Sequence, residues 1–374
     1  MKHGIIPKQP GRRTPALLGA ALCLLLFLTG CSAASGEKQI FPICMSMDRL
    51  SDGRLQLAVQ VSQMGSDKSD EYAVFTAAGD TFGQTLEILG ASMPYPLHFG
   101  QLRLCMVGYS LAVEEELHAL LMPLDELYTI NPRTAVVVCM GNAAQTMAAQ
   151  KPDLGVRLST YLDQLLARLR QEKLTPPETL RDVVRMLKAG RRDPLLGLCS
   201  LNDAAGPDDA AKGSSGSGST PGESSTQAVF GPSGRIAIGE PSPGDDLPPD
   251  MTAGSLPRKG GNPVEYIGCA VVGQGRVTGT LTALETRLAL TLRQEGRVSH
   301  VTKEEAWVIL PPEKNLELNQ AAQLVTKCQQ LGCDLLDVTS AYAKENPTIS
   351  EDFLFLKPDA MRLTITYKGS TISE

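Results

Sequence analysis

The residue best placed to do chemistry is Cys31, at the end of the stretch "LLLFLTGC". Leu28-Thr29-Gly30-Cys31 resembles a bacterial lipobox. There the cysteine thiol is alkylated by diacylglycerol and the peptide is cut just before it. Small residues at positions 29 and 30 suit a peptidase that tolerates little bulk. The apolar run from Ala16 to Leu28 holds 13 residues, short of the ~20 that cross a bilayer core. Lys2, Lys8, Arg12 and Arg13 precede it, and no acidic residue comes before Glu37. A basic start, a short apolar run and small residues at its end form the pattern of an export signal. "SAASG" after Cys31 reads as a polar tether. Residues 1–30 are therefore read as a lipoprotein signal peptide, and Cys31 as an S-diacylglycerol cysteine.

The other chemically capable residues are scattered. His98, His118 and His300 remain in the mature chain, none with a neighbour at metal-ligand spacing. Surface or packing roles are expected for them. Glu114-Glu115-Glu116 reads as a solvated helix face. Asp334 and Asp337 stand three apart on a helical pattern, but an acid–base pair needs further groups around it. There is no GxxxxGK[ST], HExxH or GxSxG, and "KGSSGSGS" follows no strand, so it reads as linker and not as a phosphate cradle. No catalytic residue, metal ligand or cofactor site is assigned.

Charge narrows the partners. The formal net charge is −6; losing the four basic residues of the signal leaves 31 basic against 41 acidic residues, about −10. Such a chain lacks the basic stripe of a nucleic-acid binder and is not drawn to an anionic membrane by charge. Membrane attachment is left to lipid or to protein partners. Cys44, Cys105, Cys139, Cys199, Cys269, Cys328 and Cys333 are left after Cys23 and Cys31. The number is odd, none forms a CxxC, and most sit in apolar stretches, so they read as buried small hydrophobes.

The elements that must carry these residues follow from periodicity. Residues 40–62 read as a hairpin turning at Ser51-Asp52-Gly53, with Leu55, Leu57, Val59 and Val61 alternating inward. "EYAVFTAAG", "QLRLCMVGYS" (central) and "RTAVVVCMG" read as strands. "DTFGQTLEILGAS" reads as a helix capped by Asp80, and "LAVEEELHALLMPL" as one helix. Leu158, Leu162, Leu165, Leu166 and Leu169 form an apolar stripe. A second helix opens at Pro176-Pro177 and ends at Gly190. From 202 to 262 the Gly, Ser and Pro content rises, and the segment reads as a disordered linker, with "AVFGPSGRIAIG" as a candidate hairpin. Then come two strands around Gly273-Gln274-Gly275, a helix from about Thr282, and the strand "HVTKEEAWVIL" with Trp307 in the core beside Ile309. One long helix follows from about Leu318 to Tyr342, and last the strand "MRLTITYKG". The fold class is α+β with mixed and antiparallel sheets, packed helices and no regular βαβ repeat. It comprises an N-terminal region of two subdomains over 31–201 and a C-terminal domain over 263–374.

Several stretches in order resemble one family, the Ger(x)C lipoproteins, the C subunit of spore nutrient-germinant receptors. "LTGC" resembles the family's lipidation site, and "DRLSDGRLQLAVQVS" its first hairpin. "AAGDTFGQTLEILGASMPYPLHFGQLRLCMVGYSLA" resembles its strand–helix–strand core. "LKAGRRDPLLGLCSL" resembles the close of its N-terminal half. "CAVVGQGRVTGTLTALETRLALTL" and "TKCQQLGCDLLDVTSAYAKENP" resemble the opening and the long helix of its C-terminal domain. The chain departs from the pattern at Ser32-Ala33, where Trp-Asp is frequent, and at Gln101, where a histidine is frequent and His98 lies nearby. It departs again at Gly279-Thr280-Leu281 and Leu284-Glu285.

The resemblance implies a non-enzymatic lipoprotein without cofactor, on the outer face of the spore inner membrane. It would work beside two integral membrane subunits, A and B, in sensing nutrients and starting germination. Only Cys31 is carried over as a functional residue. An extracytoplasmic solute-binding lipoprotein of a transport system is the alternative; it would need two lobes around an aromatic-lined cleft, and aromatics make up 5% of the chain. A lipid-anchored hydrolase would need a nucleophile beside a base, and no such signature is present.

Overall fold

In a computed structural model the structure describes residues 39–62, 72–127, 129–152, 156–190, 192–202, 251–258, 260–302, 304–311, 317–345 and 361–367. Cys31, the signal, the candidate hairpin in "AVFGPSGRIAIG" and most of the linker lie outside these residues.

The first hairpin forms as its alternation requires: β1 (Pro42–Arg49) and β2 (Leu55–Ser62) pair antiparallel, and β3 (Tyr72–Gly79) adds to β2. Helix α1 (Phe82–Ala91) packs back on β2 and β3. Its N-cap is Thr81, whose hydroxyl accepts from Gln84 N, and not Asp80, one residue earlier. β4 (Leu104–Gly108) then enters parallel to β1, central as expected.

The expected single helix after β4 is two helices, α2 (Tyr109–Glu114) and α3 (Leu117–Asp125). The chain turns extended at Glu115 and Glu116, so the glutamates mark a break and form no helix face. β5 (Ala135–Cys139) follows, then α4 (Ala143–Ala148), α5 (Leu158–Gln171) and α6 (Leu180–Ala189). Helix α6 opens at a Thr179–Asp182 capping box, three residues after Pro176, and ends at Gly190 in the left-handed region. β6 (Leu195–Leu201) lies parallel to β5.

Four parallel strands, β1, β4, β5 and β6, thus form the middle of the large sheet. The expected absence of a βαβ repeat does not hold here. The first connection, β1 to β4, runs through two antiparallel strands and α1, while the β4–β5 and β5–β6 connections hold two and three helices, so no repeated unit marks them in the sequence.

The chain beyond residue 250 completes this sheet. β7 (Val264–Glu265) and β8 (Cys269–Gly273) pair antiparallel with β6, and β9 (Arg276–Leu281) pairs with β8. The full order is β3-β2-β1-β4-β5-β6-β8-β9, with β7 beside β6. The β8–β9 turn has Gln274 at φ 52° and Gly275 at φ 80°, the two positive dihedrals of a tight hairpin. Within the stretch read as linker, Met251 and Ala253 are buried, and Met251 O accepts from Ala283 N at 2.8 Å.

Strand β8 divides two cores. Ala270 and Val272 face the first, and Cys269 and Val271 the second, the period of two acting at full burial. The second core is closed by α7 (Ala283–Glu295), the small sheet of β10 (Arg297–Val301), β11 (Glu305–Leu310) and β12 (Arg362–Tyr367), and helices α8 (Leu318–Gln330) and α9 (Val338–Glu345). Two corrections fall here. "HVTKEEAWVIL" spans two strands, β10 and β11. The expected long helix is interrupted between Gln330 and Val338, with Gly332 at φ 68° and Asp337 at φ 57°. Where α8 ends, the backbone of Leu331 crosses β8 so closely that a Cβ on Gly273 would lie 2.3 Å from Leu331 O. Among the described residues no helix is long and apolar enough to cross a membrane.

Candidate functional site

The described chain begins at Gln39, eight positions after Cys31. Ile40 bridges Leu97: Ile40 N donates to Pro96 O at 3.0 Å, and His98 N donates to Ile40 O at 2.8 Å. The His98 ring lies against Phe41, centroids 5.2 Å apart, and its Nδ1 accepts from Gly100 N at 3.3 Å. His98 therefore has a local packing and turn role.

The other singled-out residues are not brought together. His118 lies in α3 and His300 on the exposed face of β10. Trp307 and Ile309 are half-buried, while Ala306, Val308 and Leu310 point into the core, so the strand faces the other way from expectation. Glu115 pairs with Arg49, and Glu114 and Glu116 are exposed. Among the described residues no three His, Cys, Asp or Glu side chains converge in a way that could hold a metal ion.

Asp334 and Asp337 do enter a charged site, which lies at the seam of the two cores. Arg293 of α7, its side chain 4% exposed, reaches Glu178 Oε1 at 3.3 Å. It also donates through Nε to Leu335 O at 2.9 Å and through Nη2 to Asp193 O at 2.5 Å. Asp334 N donates to Asp193 Oδ2 at 2.8 Å, while the Asp334 carboxylate accepts from Val338 N and Thr339 N, opening α9. Arg192 pairs with Asp337 at 3.2 Å. Glu178 Oε2 and Asp337 Oδ1 are buried without a hydrogen-bond partner.

Electrostatics there follow from burial. Desolvation pushes Asp193 and Asp337 up to about 6, outweighing the hydrogen bond from Asp334 N in the first case and the Arg293 and Arg192 charges in the second. Glu178 also rises, through burial opposed by Arg293. Sequence reasoning missed Glu178, Asp193 and Arg293, because more than 90 residues separate each acid from the arginine. The short spacing of Asp334 and Asp337 was the visible signal.

A second buried carboxylate holds the strap that follows residue 250. Glu265 Oε1 accepts from Asn202 Nδ2 at 2.7 Å and Arg258 Nε at 2.9 Å. Its Oε2 accepts from Gly254 N at 2.8 Å and Leu256 N at 3.2 Å. The strap and α5 flank an open groove of about 550 Å³, lined by Tyr161, Leu165, Leu169, Leu256, Pro257 and Ile267 among others.

The seven cysteines among the described residues are free and buried, as expected. Cys139 and Cys199 face each other across β5 and β6, and Cys139 Sγ lies 3.1 Å from Thr146 Oγ1. Nearby, Asp48 at the end of β1 accepts from Ala143 N and Ala144 N, both at 2.9 Å, and so seats α4 on the sheet. A Cβ on Gly108 would lie 2.4 Å from its Oδ1, which is why glycine stands there. These groups hold helix to strand.

Residues 36–201 match the family model described as the spore germination protein N-terminal domain. The match ends at the last residue of β6. That match takes in 166 of the chain's 374 residues. No curated protein matches the chain. It is similar to a solved structure titled "Crystal Structure of the GerBC protein", at 10% identity and a TM-score of 0.40, covering 87% of this chain and 96% of that one.

Proposed function

We propose that this chain is the lipid-anchored, non-catalytic C subunit of a spore nutrient-germinant receptor, held through Cys31 on the outer face of the spore inner membrane. Its partners are the two integral membrane subunits, A and B. The carrying observation is the family match over residues 36–201; the lipobox at Cys31 supplies the anchor. The subunit forms and breaks no bond. It acts by contact, passing a conformational bias between partners through its two cores, which share strand β8.

Co-purification from spore membranes tests this. The tagged chain should bring down a transporter-like membrane subunit in detergent. Recovery of the chain alone, with its lipid in place, would contradict receptor membership. The groove beside α5 favours a second reading, that of a solute-binding lipoprotein. Saturable binding of an amino acid or sugar by the isolated mature chain, lost on Tyr161→Ala, would support that reading instead.

A further inference from the structure

We infer that the surface formed by the end of α1 and the loop after it, Ile88–Leu97, rests on the lipid bilayer. This inference rests on the Cys31 anchor proposed above.

Three observations converge. The first is composition: from Ile88 to Leu102 there is no Asp, Glu, Lys or Arg, although the mature chain carries about −10. The second is exposure. Ile88 is 45% exposed and Tyr95 46%, and Ala91, Ser92, Pro94 and Pro96 are exposed with them. Ile88 and Ala91 stand one turn apart at the end of α1, and Ser92 and Tyr95 follow in the loop. Tyrosine is favoured where an apolar body meets a wet headgroup layer.

The third is the tether. Gln39 stands only eight positions after Cys31, so the anchor lies within ~28 Å of the described chain even at full extension. That chain lands on this surface, since Ile40 bridges Leu97 and bonds Pro96. The Ser51–Gly53 turn lies at the far end of the eight-residue β1, a further ~23 Å away. The surface is also firm. Met93 N donates to Gly90 O at 3.1 Å and Ser92 Oγ to Leu89 O at 2.7 Å.

A bilayer fits this face better than another acidic copy of the chain does, because it offers an apolar layer without requiring matched charges. Charged faces of the molecule would be repelled by anionic lipid, and this uncharged one would not.

The test uses the mature chain, beginning at Cys31, coupled through that thiol to a maleimide phospholipid. The seven other cysteines are buried, so coupling is selective. The coupled protein is placed in phosphatidylcholine vesicles brominated near the headgroup end of the acyl chains. Tryptophan is introduced in separate variants, Tyr95→Trp, Ile88→Trp and Ser51→Trp, against the background of the single Trp307. The expected result is blue-shifted, bromine-quenched emission at positions 95 and 88, and unshifted, unquenched emission at 51. Equal emission at all three positions, or quenching at 51 alone, would overturn the inference. A blue shift at 95 and 88 that appears on self-association in lipid-free solution, with no bromine quenching in vesicles, would assign the face to a second copy and overturn it too. Because the lipid is attached chemically, a failure here is separate from any failure of lipidation in the cell.

Discussion

Glu265 and the seam acids are buried carboxylates of the same chain, satisfied to very different degrees. Glu265 has a donor for each role: Asn202 and Arg258 on one oxygen, two backbone N–H groups on the other. At the seam, Glu178 and Asp337 each leave one oxygen buried and unpaired around Arg293 and Arg192. A saturated carboxylate is a fixed pin. An under-satisfied group gives up its charge easily, and its contact becomes sensitive to pH and to anything that shifts the two cores. The difference separates the part of the molecule that holds its shape from the part suited to coupling.

The largest expected effect is at the pin. Glu265→Ala strips acceptors from four donors and should cost about 3–4 kcal/mol, read as a fall in the denaturant midpoint. A loss under about 1 kcal/mol would show that the strap after residue 250 is held by apolar packing alone.

Arg293→Met should cost less, about 2–3 kcal/mol. Glu178, already raised, can take up a proton and remain buried as a neutral acid. The loss should therefore shrink as pH falls, and a cost unchanged between neutral and acidic pH would break the contrast with Glu265.

The smallest effect is the most diagnostic. Asp193 and Asp337 have folded pKa values raised from 3.8 to about 6. Between those values the folded chain binds protons that the unfolded chain does not, so these groups favour folding below pH 3.8 and lose that contribution as pH rises through about 6. Asp193→Asn keeps an acceptor for Asp334 N and removes the charge. It should stabilise the protein by roughly 1–2 kcal/mol at pH 7 and by nothing near pH 4. Chemical denaturation across that range checks it; a variant less stable than wild type at pH 7 would contradict the burial argument.

How much of this was legible varied with the range of the interaction. Local alternation in "RLQLAVQVS" placed β2 and buried Leu55, Leu57, Val59 and Val61, but Gln60, expected to point away, is buried with Ala58 on the other face. The Gly273-Gln274-Gly275 turn and the helix following Thr282 were equally visible, because turn and cap chemistry are carried by adjacent residues. The break between α8 and α9 was hidden by an apolar spacing that continues across it. Gly332 was the available signal, since left-handed backbone favours glycine. The parallel pairing of β1 with β4, and of β5 with β6, could not be read, because an antiparallel strand pair with α1 separates the first two and three helices separate the others. The meeting of Arg293 with Glu178 and Asp193 could not be read either. It depends on β8 lying in a sheet built mainly by the first half of the chain. The lipidation read at Cys31 from four adjacent residues falls outside the described structure.

The proposal that this is an anchored germination subunit turns on that cysteine. The most direct measurement is mass spectrometry of the N-terminal peptide from native spore membranes. The account predicts a chain beginning at Cys31 and bearing a diacylglyceryl thioether. An unmodified Cys31, or a chain beginning at another residue, would contradict it.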